Sequence, residues 1–352
     1  MDSKILDLVD PERFTRWATQ NLPELGDGPL VITALAGGAT NAVYRVSRGE
    51  QVAVLRRPPR IPRPDSEKIL NREARVQTAL GSTDVLAPRV LATCNDKDVI
   101  GTDFYVMAHV DGWVPMEEKD FPAGYEPGTD ARRDMAFELI SGIAGLANVD
   151  YKAVGLEGFG KPEGFLTRQV DRWLGQLDSY KQTENYVGRT LPGLDYTADW
   201  LRANTPETPR VGILHGDYAF ANVLFAHGDT PKLAAMIDWE LSTVGDPLLD
   251  LGWVAYAFRT RDGAPPAQDV YNTASYPCRE DLIEFYGDRT GLPVENIDYY
   301  IILAQFKLGA LLERKYAEYL GGKQTKEFGE FFGELTLDLF KTAEQMARKS
   351  KL

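Results

Sequence analysis

The sequence predicts an α+β chain of two lobes, a small antiparallel β-rich N-lobe with one helix and a larger, mainly helical C-lobe. Three observations lead there. Between residues 30 and 107, short β-branched runs alternate with turn residues, the pattern of hairpins. From about Asp130 the apolar spacing changes to i, i+3, i+4, the pattern of helices. Inside that helical half, a short β-island holds acids at the ends of apolar runs. A hinge near residue 110 divides the chain into lobes 1–109 and 110–352.

The first element is a short helix over 11–20, where Phe14, Trp17 and Ala18 share a face. A strand over 30–33 leads into Gly37-Gly38-Ala39-Thr40-Asn41, followed by strands over 42–46 and 52–56 that reverse at Arg48-Gly49-Glu50. Pro58, Pro59, Pro62 and Pro64 stiffen the next connection. Helical periodicity returns over 66–80, and two more strands are expected over 89–93 and 103–107. Asp111-Gly112 reads as a turn. In the helical half, Met135, Leu139, Ile143 and Leu146 share one face. Further helices fit 167–177, 248–258, 280–290, 299–320 and 330–349, and short strands fit 211–214, 222–225 and 234–237.

Composition narrows the function classes. With 39 Lys plus Arg against 52 Asp plus Glu, the 352 residues carry a formal charge of −13. Such a chain has no global field to attract nucleic acid or an anionic membrane. Two cysteines form no CxxC pair, and the first residues lack a signal-peptide layout, so reduced thiols and a cytoplasmic location are expected. The most apolar stretch, residues 300–312, is interrupted by Gln305 and Lys307 and is too short to span a bilayer.

The chemistry concentrates in the β-island. His215-Gly216-Asp217 precedes Asn222 by a loop that can fold back on itself, and Asp238 ends the next strand toward the same cleft. Two carboxylates and an amide oxygen form a hard-oxygen set suited to Mg²⁺ with retained waters. Structural zinc has no ligand set here, because only three histidines exist and His215 lies far from both cysteines. A lone Asp-x₄-Asn is ordinarily a loop cap and a turn residue; Asp238 and the Gly245-Asp246-Pro247-x₂-Asp250 block favour chemistry instead.

These ordered motifs, His215 to Asn222, Ile237-Asp238-Trp239-Glu240 and Gly245 to Asp250, resemble the aminoglycoside phosphotransferase and choline kinase family, which shares the protein-kinase-like fold. Leu55-Arg56-Arg57-Pro58-Pro59 and Arg168-Gln169-Val170-Asp171-Arg172-Trp173 look most like the phosphotransferase-like domain associated with acyl-CoA dehydrogenases. The resemblance implies ATP and Mg²⁺ as cofactors and a small-molecule hydroxyl as phosphoryl acceptor, with a hydroxylated acyl metabolite among the candidates. It makes Asp217 the catalytic base and gives Asn222 and Asp238 the metal. It places phosphates at Gly37, Gly38 and Asn41, and gives Arg56 the position of the family's lysine, with Glu73 as its ion-pair partner. Adenine would meet the Ala108 carbonyl and the Val110 amide. His215, Asp246 and Asp250 read as structural, with Asp250 anchoring the loop.

Two rivals stay open: a nucleotide-binding pseudokinase impaired by Arg56, and a metal-dependent phosphohydrolase using Asp217 and Asp238. Arg57 is the fallback should Arg56 point elsewhere. Arg168 and Arg172, one turn apart, suit either an anion or structural ion pairs. Residues 155–162 nearly match a phosphate-binding loop, but Pro162 replaces the needed Ser or Thr and removes a donor, so they read as an ordinary loop. The sequence sets no oligomeric state.

Overall fold

The computed structural model describes residues 8–35, 41–62, 64–116, 119, 121–266 and 272–352. After helix α1 (Pro11–Asn21) come strands β1 (Val31–Ala34), β2 (Ala42–Arg48) and β3 (Gln51–Arg57). Helix α2 (Ser66–Leu80), strand β4 (Val90–Cys94), the single turn α3 (Lys97–Ile100) and strand β5 (Phe104–Ala108) complete the N-lobe. The five strands form one antiparallel sheet in the order β1-β2-β3-β5-β4.

Alternation along β3 sorts its side chains between two environments. Ala53 and Leu55 enter a core with Phe14, Tyr44, Phe104 and Val106, and Arg57 on that face donates to the carbonyls of Leu8, Pro58 and Ile100. Arg56 faces the other way, opposite Tyr105, toward α2. The fallback assignment of Arg57 to the cleft is therefore excluded by strand geometry. Helix α2 buries Leu70, Glu73, Ala74, Gln77 and Leu80, an i, i+3, i+4 stripe that puts one carboxylate beneath the sheet.

The remaining elements are α4 (Asp130–Ala147), α5 (Gln169–Ser179), α6 (Leu194–Ala203), β6 (Gly212–Leu214), β7 (Val223–Phe225), β8 (Leu233–Met236), β9 (Thr243–Gly245), α7 (Leu248–Ala255), α8 (Arg279–Thr290), α9 (Ile297–Leu320) and α10 (Lys326–Lys349). Two two-stranded ribbons, β6–β9 and β7–β8, sit within the helices. The fold class expected from the sequence is the one observed. Helix α6 and strand β9 were not anticipated: α6 runs only ten residues, and β9, at three, is too short to show alternation.

The expected turn at Asp111-Gly112 is instead extended chain. Trp113 and Phe225 exchange two backbone hydrogen bonds of 2.9 Å, and a Cβ on Gly112 would lie 2.7 Å from the Phe225 carbonyl oxygen. Glycine is used there for close approach. The 155–162 segment braces the lobes: Arg75 donates to the Gly155 and Glu157 carbonyls, and Arg72 lies 4.2 Å from the Phe159 ring centre.

Candidate active site

Strand β6 delivers the chain into the loop from His215 to Asn222. The reversal needs Gly216 at φ +85°, because a Cβ there would stand 2.4 Å from the Leu241 carbonyl oxygen. Asp250, on α7, accepts from the His215 N–H at 2.6 Å and the Gly216 N–H at 2.9 Å. Burial pushes the Asp250 carboxyl up to about 6, partly offset by those two N–H groups. Its expected anchoring of the loop matches this geometry. Asp246 accepts from the Leu248 N–H at 3.1 Å and from the Tyr300 hydroxyl at 2.8 Å, so it ties the first residue of α7, whose N-cap position falls on Pro247, to α9.

His215 is fully buried against Trp239, and burial drives its pKa down to about 4, leaving a neutral ring. Its Nε2 meets the Ile237 carbonyl at 2.9 Å and its Nδ1 faces the Asp217 N–H at 3.4 Å. The tautomer with Nε2–H satisfies both contacts. His215 thus joins the loop to the segment carrying Asp238. A second join is direct, since the Ile237 N–H donates to the Asn222 carbonyl at 2.9 Å. Together they bring Asn222 beside Asp238. The Asn222 Nδ2 donates to the Asp217 carbonyl at 2.7 Å and its carboxylate at 3.1 Å, turning the amide oxygen away from that acid.

Asp238 holds a left-handed backbone, φ +65°, uncommon for a residue with a side chain. Arg56 reaches it across the cleft, Nη2 to Oδ1 at 2.7 Å, while the Arg56 Nε stands 3.0 Å from Glu73 Oε2. The second contact is an ion pair without good hydrogen-bond alignment, because neither atom has a hydrogen-bond partner. Burial opposes the charge on Arg56, but Glu73, Tyr105 and Asp238 outweigh it and hold the guanidinium protonated. Burial wins at Glu73, raising its carboxyl to about 7 despite Arg56.

The predicted residues Asp217, Asn222, Asp238, Arg56 and Glu73 therefore converge. Asn41 is buried at the start of β2, while Gly37 and Gly38 lie outside the described residues. Ala108 and Val110 are half-buried where β5 leaves the sheet, and the Ala108 N–H already serves the Arg89 carbonyl at 2.8 Å. Arg168 is committed to the Lys161 and Glu163 carbonyls. Arg172 is exposed along an open groove of about 450 Å³ lined also by Lys161, Phe165 and Thr243.

Lys307 was not anticipated. It comes from α9, lies 5% exposed, donates to the Gly216 carbonyl and sits 4.2 Å from the Trp253 ring centre. Its only sign in the sequence is a charge interrupting an apolar run. Burial raises the Asp217 carboxyl above the usual range, and Lys307 is the largest influence against that rise.

Residues 31–284 match the phosphotransferase enzyme family. The chain is 30% identical over 347 residues to chicken acyl-CoA dehydrogenase family member 11, covering 96% of this chain and 43% of that protein. It is 29% identical to mouse acyl-CoA dehydrogenase family member 10, covering 92% of this chain and 30% of that protein. The chain thus spans less than half the length of these curated relatives. A solved structure from Ralstonia eutropha, provisionally assigned as an aminoglycoside phosphotransferase, superposes with TM-score 0.80 at 27% identity, covering 98% of this chain and 100% of that one. Choline kinase from Cryptosporidium parvum matches at TM-score 0.64 and 14% identity, covering 97% and 96% of the two chains, a likeness of fold.

Proposed function

This chain belongs to the phosphotransferase enzyme family, and from that premise we propose that it is an ATP- and Mg²⁺-dependent kinase of a small-molecule hydroxyl group. One observation carries the reading: Arg56 in the N-lobe is held by Glu73 and spans the cleft to Asp238, with Asn222 and Asp217 alongside. A phosphohydrolase using Asp217 and Asp238 does not by itself require a contact between the lobes, although its phosphate could also bind an arginine.

In this reading residues 1–109 form the nucleotide lobe and residues 110–352 the catalytic and substrate lobe. Gly37, Gly38 and Asn41 approach the phosphates, and the Ala108 carbonyl and Val110 amide meet the base. Arg56 turns the donor now on Asp238 to phosphate while Glu73 keeps hold of its Nε. The donor set fits Mg²⁺, which takes one or two carboxylates and completes its shell with water and phosphate oxygens. Asp238 and the Asn222 oxygen would hold it. When bound, the ion supplies neutralisation of the phosphate charge. Asp217 orients the acceptor hydroxyl and takes its proton. Burial raises that carboxyl's proton affinity, which suits a base.

In this reading the acceptor lies along the Arg172 groove, where Lys161, Arg168 and Arg172 outnumber the one acid, Asp171, and suit an anionic compound such as a hydroxylated acyl metabolite better than a polycationic aminoglycoside. A cytoplasmic location, with neither nucleic acid nor membrane as partner, belongs to the same proposal; among the described residues no helix is long and apolar enough to cross a membrane. The test is an acceptor screen by mass spectrometry, with hydroxy acids and hydroxyacyl thioesters beside aminoglycosides and choline. A gain of one phosphoryl group that needs both ATP and Mg²⁺ supports the proposal. Nucleotide binding without transfer to any acceptor would favour a pseudokinase, and phosphomonoester hydrolysis without ATP would favour a phosphohydrolase.

A further inference from the structure

We infer that Lys307 is a positioning residue of the transfer reaction, one that fixes the Gly216–Asp217 peptide and so aims the Asp217 carboxylate. The inference rests on the reading of Asp217 as the base. Its geometry is a clamp on three consecutive peptide groups. Asp250 takes the N–H groups of His215 and Gly216 from one side. The next peptide, joining Gly216 to Asp217, has its carbonyl held by the Lys307 ammonium and its N–H turned to His215 Nδ1. Gly216, the most pliable residue type, sits at the joint.

The setting argues against a packing role for the ammonium. Helix α9 buries every residue from Tyr299 to Lys307, and the others include tyrosines, isoleucines and Phe306. A methionine would fill such a site without desolvating a charge. Instead the ammonium lies over the Trp253 ring and feels Asp217 from the loop and Asp250 from α7, with Arg172 of α5 opposing. Burial still prevails and lowers its pKa to about 8, so the charge is retained at a cost to stability. A cost of that kind is expected where function requires the group. Lys307 lies on the C-lobe side of the loop, away from Arg56 and Glu73, so it should act on turnover and leave nucleotide affinity alone.

The test compares full-length wild type, Lys307→Met and Lys307→Ala, each checked for cooperative melting. For Lys307→Met, MgATP affinity by calorimetry should stay within about twofold. Its kcat should fall by about tenfold or more, with the best acceptor from the screen or with water. Added to Asp217→Asn, Lys307→Met should slow turnover no further, because the two act as one unit. Methylamine or ethylamine should restore part of the kcat of Lys307→Ala, and the matching alcohols should not. Amide hydrogen exchange supplies an arm independent of turnover: residues 213–219 should exchange faster in folded Lys307→Met, with β3 and α2 unchanged. A folded Lys307→Met with wild-type kcat, or with wild-type exchange in the loop, overturns the inference. If wild type transfers phosphoryl to nothing, the functional reading fails, and exchange alone decides whether Lys307 holds the loop.

Discussion

Arg56 and Lys307 are both buried cations at the cleft, and the molecule surrounds them in opposite ways. Arg56 meets two carboxylates directly, at 3.0 and 2.7 Å, one from each lobe. Lys307 meets a backbone carbonyl and an indole ring, and its carboxylates act on it without a direct hydrogen bond. Burial penalises both charges, but only at Arg56 do the carboxylates prevail. Direct pairing makes Arg56 a permanent charge and a bridge between lobes. Carbonyl bonding makes Lys307 a costly charge whose return is the geometry of one peptide. In the proposed function, the nucleotide side of the cleft is thus organised by ion pairs, and the acceptor side by a clamped backbone.

Breaking the ion-paired side should show most at Asp238. Asp238→Ala removes the proposed metal ligand together with the second anchor of Arg56, so Mg²⁺-dependent ATP affinity should fall by more than about 100-fold, beyond the loss typical of outer-shell partners. Calorimetry with and without Mg²⁺ checks it; unchanged affinity places the ion elsewhere. Arg56→Ala should weaken ATP binding by about tenfold to a hundredfold, the worth of one charge-assisted hydrogen bond. Adding Glu73→Gln to it should cost little more, since the buried acid has then lost its partner. Arg56→Lys should recover only part, because a point charge replaces a planar fork. Normal affinity in Arg56→Ala would separate the arginine from phosphate.

The clamped side can be read through pH. Burial keeps His215 neutral down to about pH 4, while in the unfolded chain it binds a proton near 6.5. The unfolded state therefore gains the proton first as pH falls, and the stability due to His215 is whole above about 6.5 and is lost toward 4. The stability gap between wild type and His215→Gln should be about 2 kcal/mol smaller at pH 5 than at pH 7 in denaturant titrations. A pH-independent gap would mean that the ring titrates alike in both states.

The two sides also differ in how far the sequence discloses them. Arg56 and Glu73 are legible through the resemblance, which implies a phosphate-side cation and its acidic partner, and the strand register then separates Arg56 from Arg57. Asp217, Asn222 and Asp238 are legible because short motifs carry their spacing. Asp250 was expected to anchor the loop, and its two N–H contacts match that expectation. Lys307 follows Asp217 by 90 residues, and no local pattern records which carbonyl a helix-borne lysine reaches. The Asp111-Gly112 pair misled for a related reason: a glycine needed for close approach to Phe225 has the same local appearance as a glycine in a turn. Strand β9 is defined only by its partner β6, a tertiary fact.

The central claim is a division of labour, with nucleotide held by the Arg56–Asp238 side and the acceptor proton handled by Asp217. The most direct measurement takes MgATP affinity and phosphoryl transfer on the same preparation of Asp217→Asn. The account predicts affinity within about twofold of wild type and transfer reduced by about 100-fold or more, the usual worth of a positioned general base. Wild-type transfer in that variant, or a loss of affinity large enough to explain the slower rate, would contradict it.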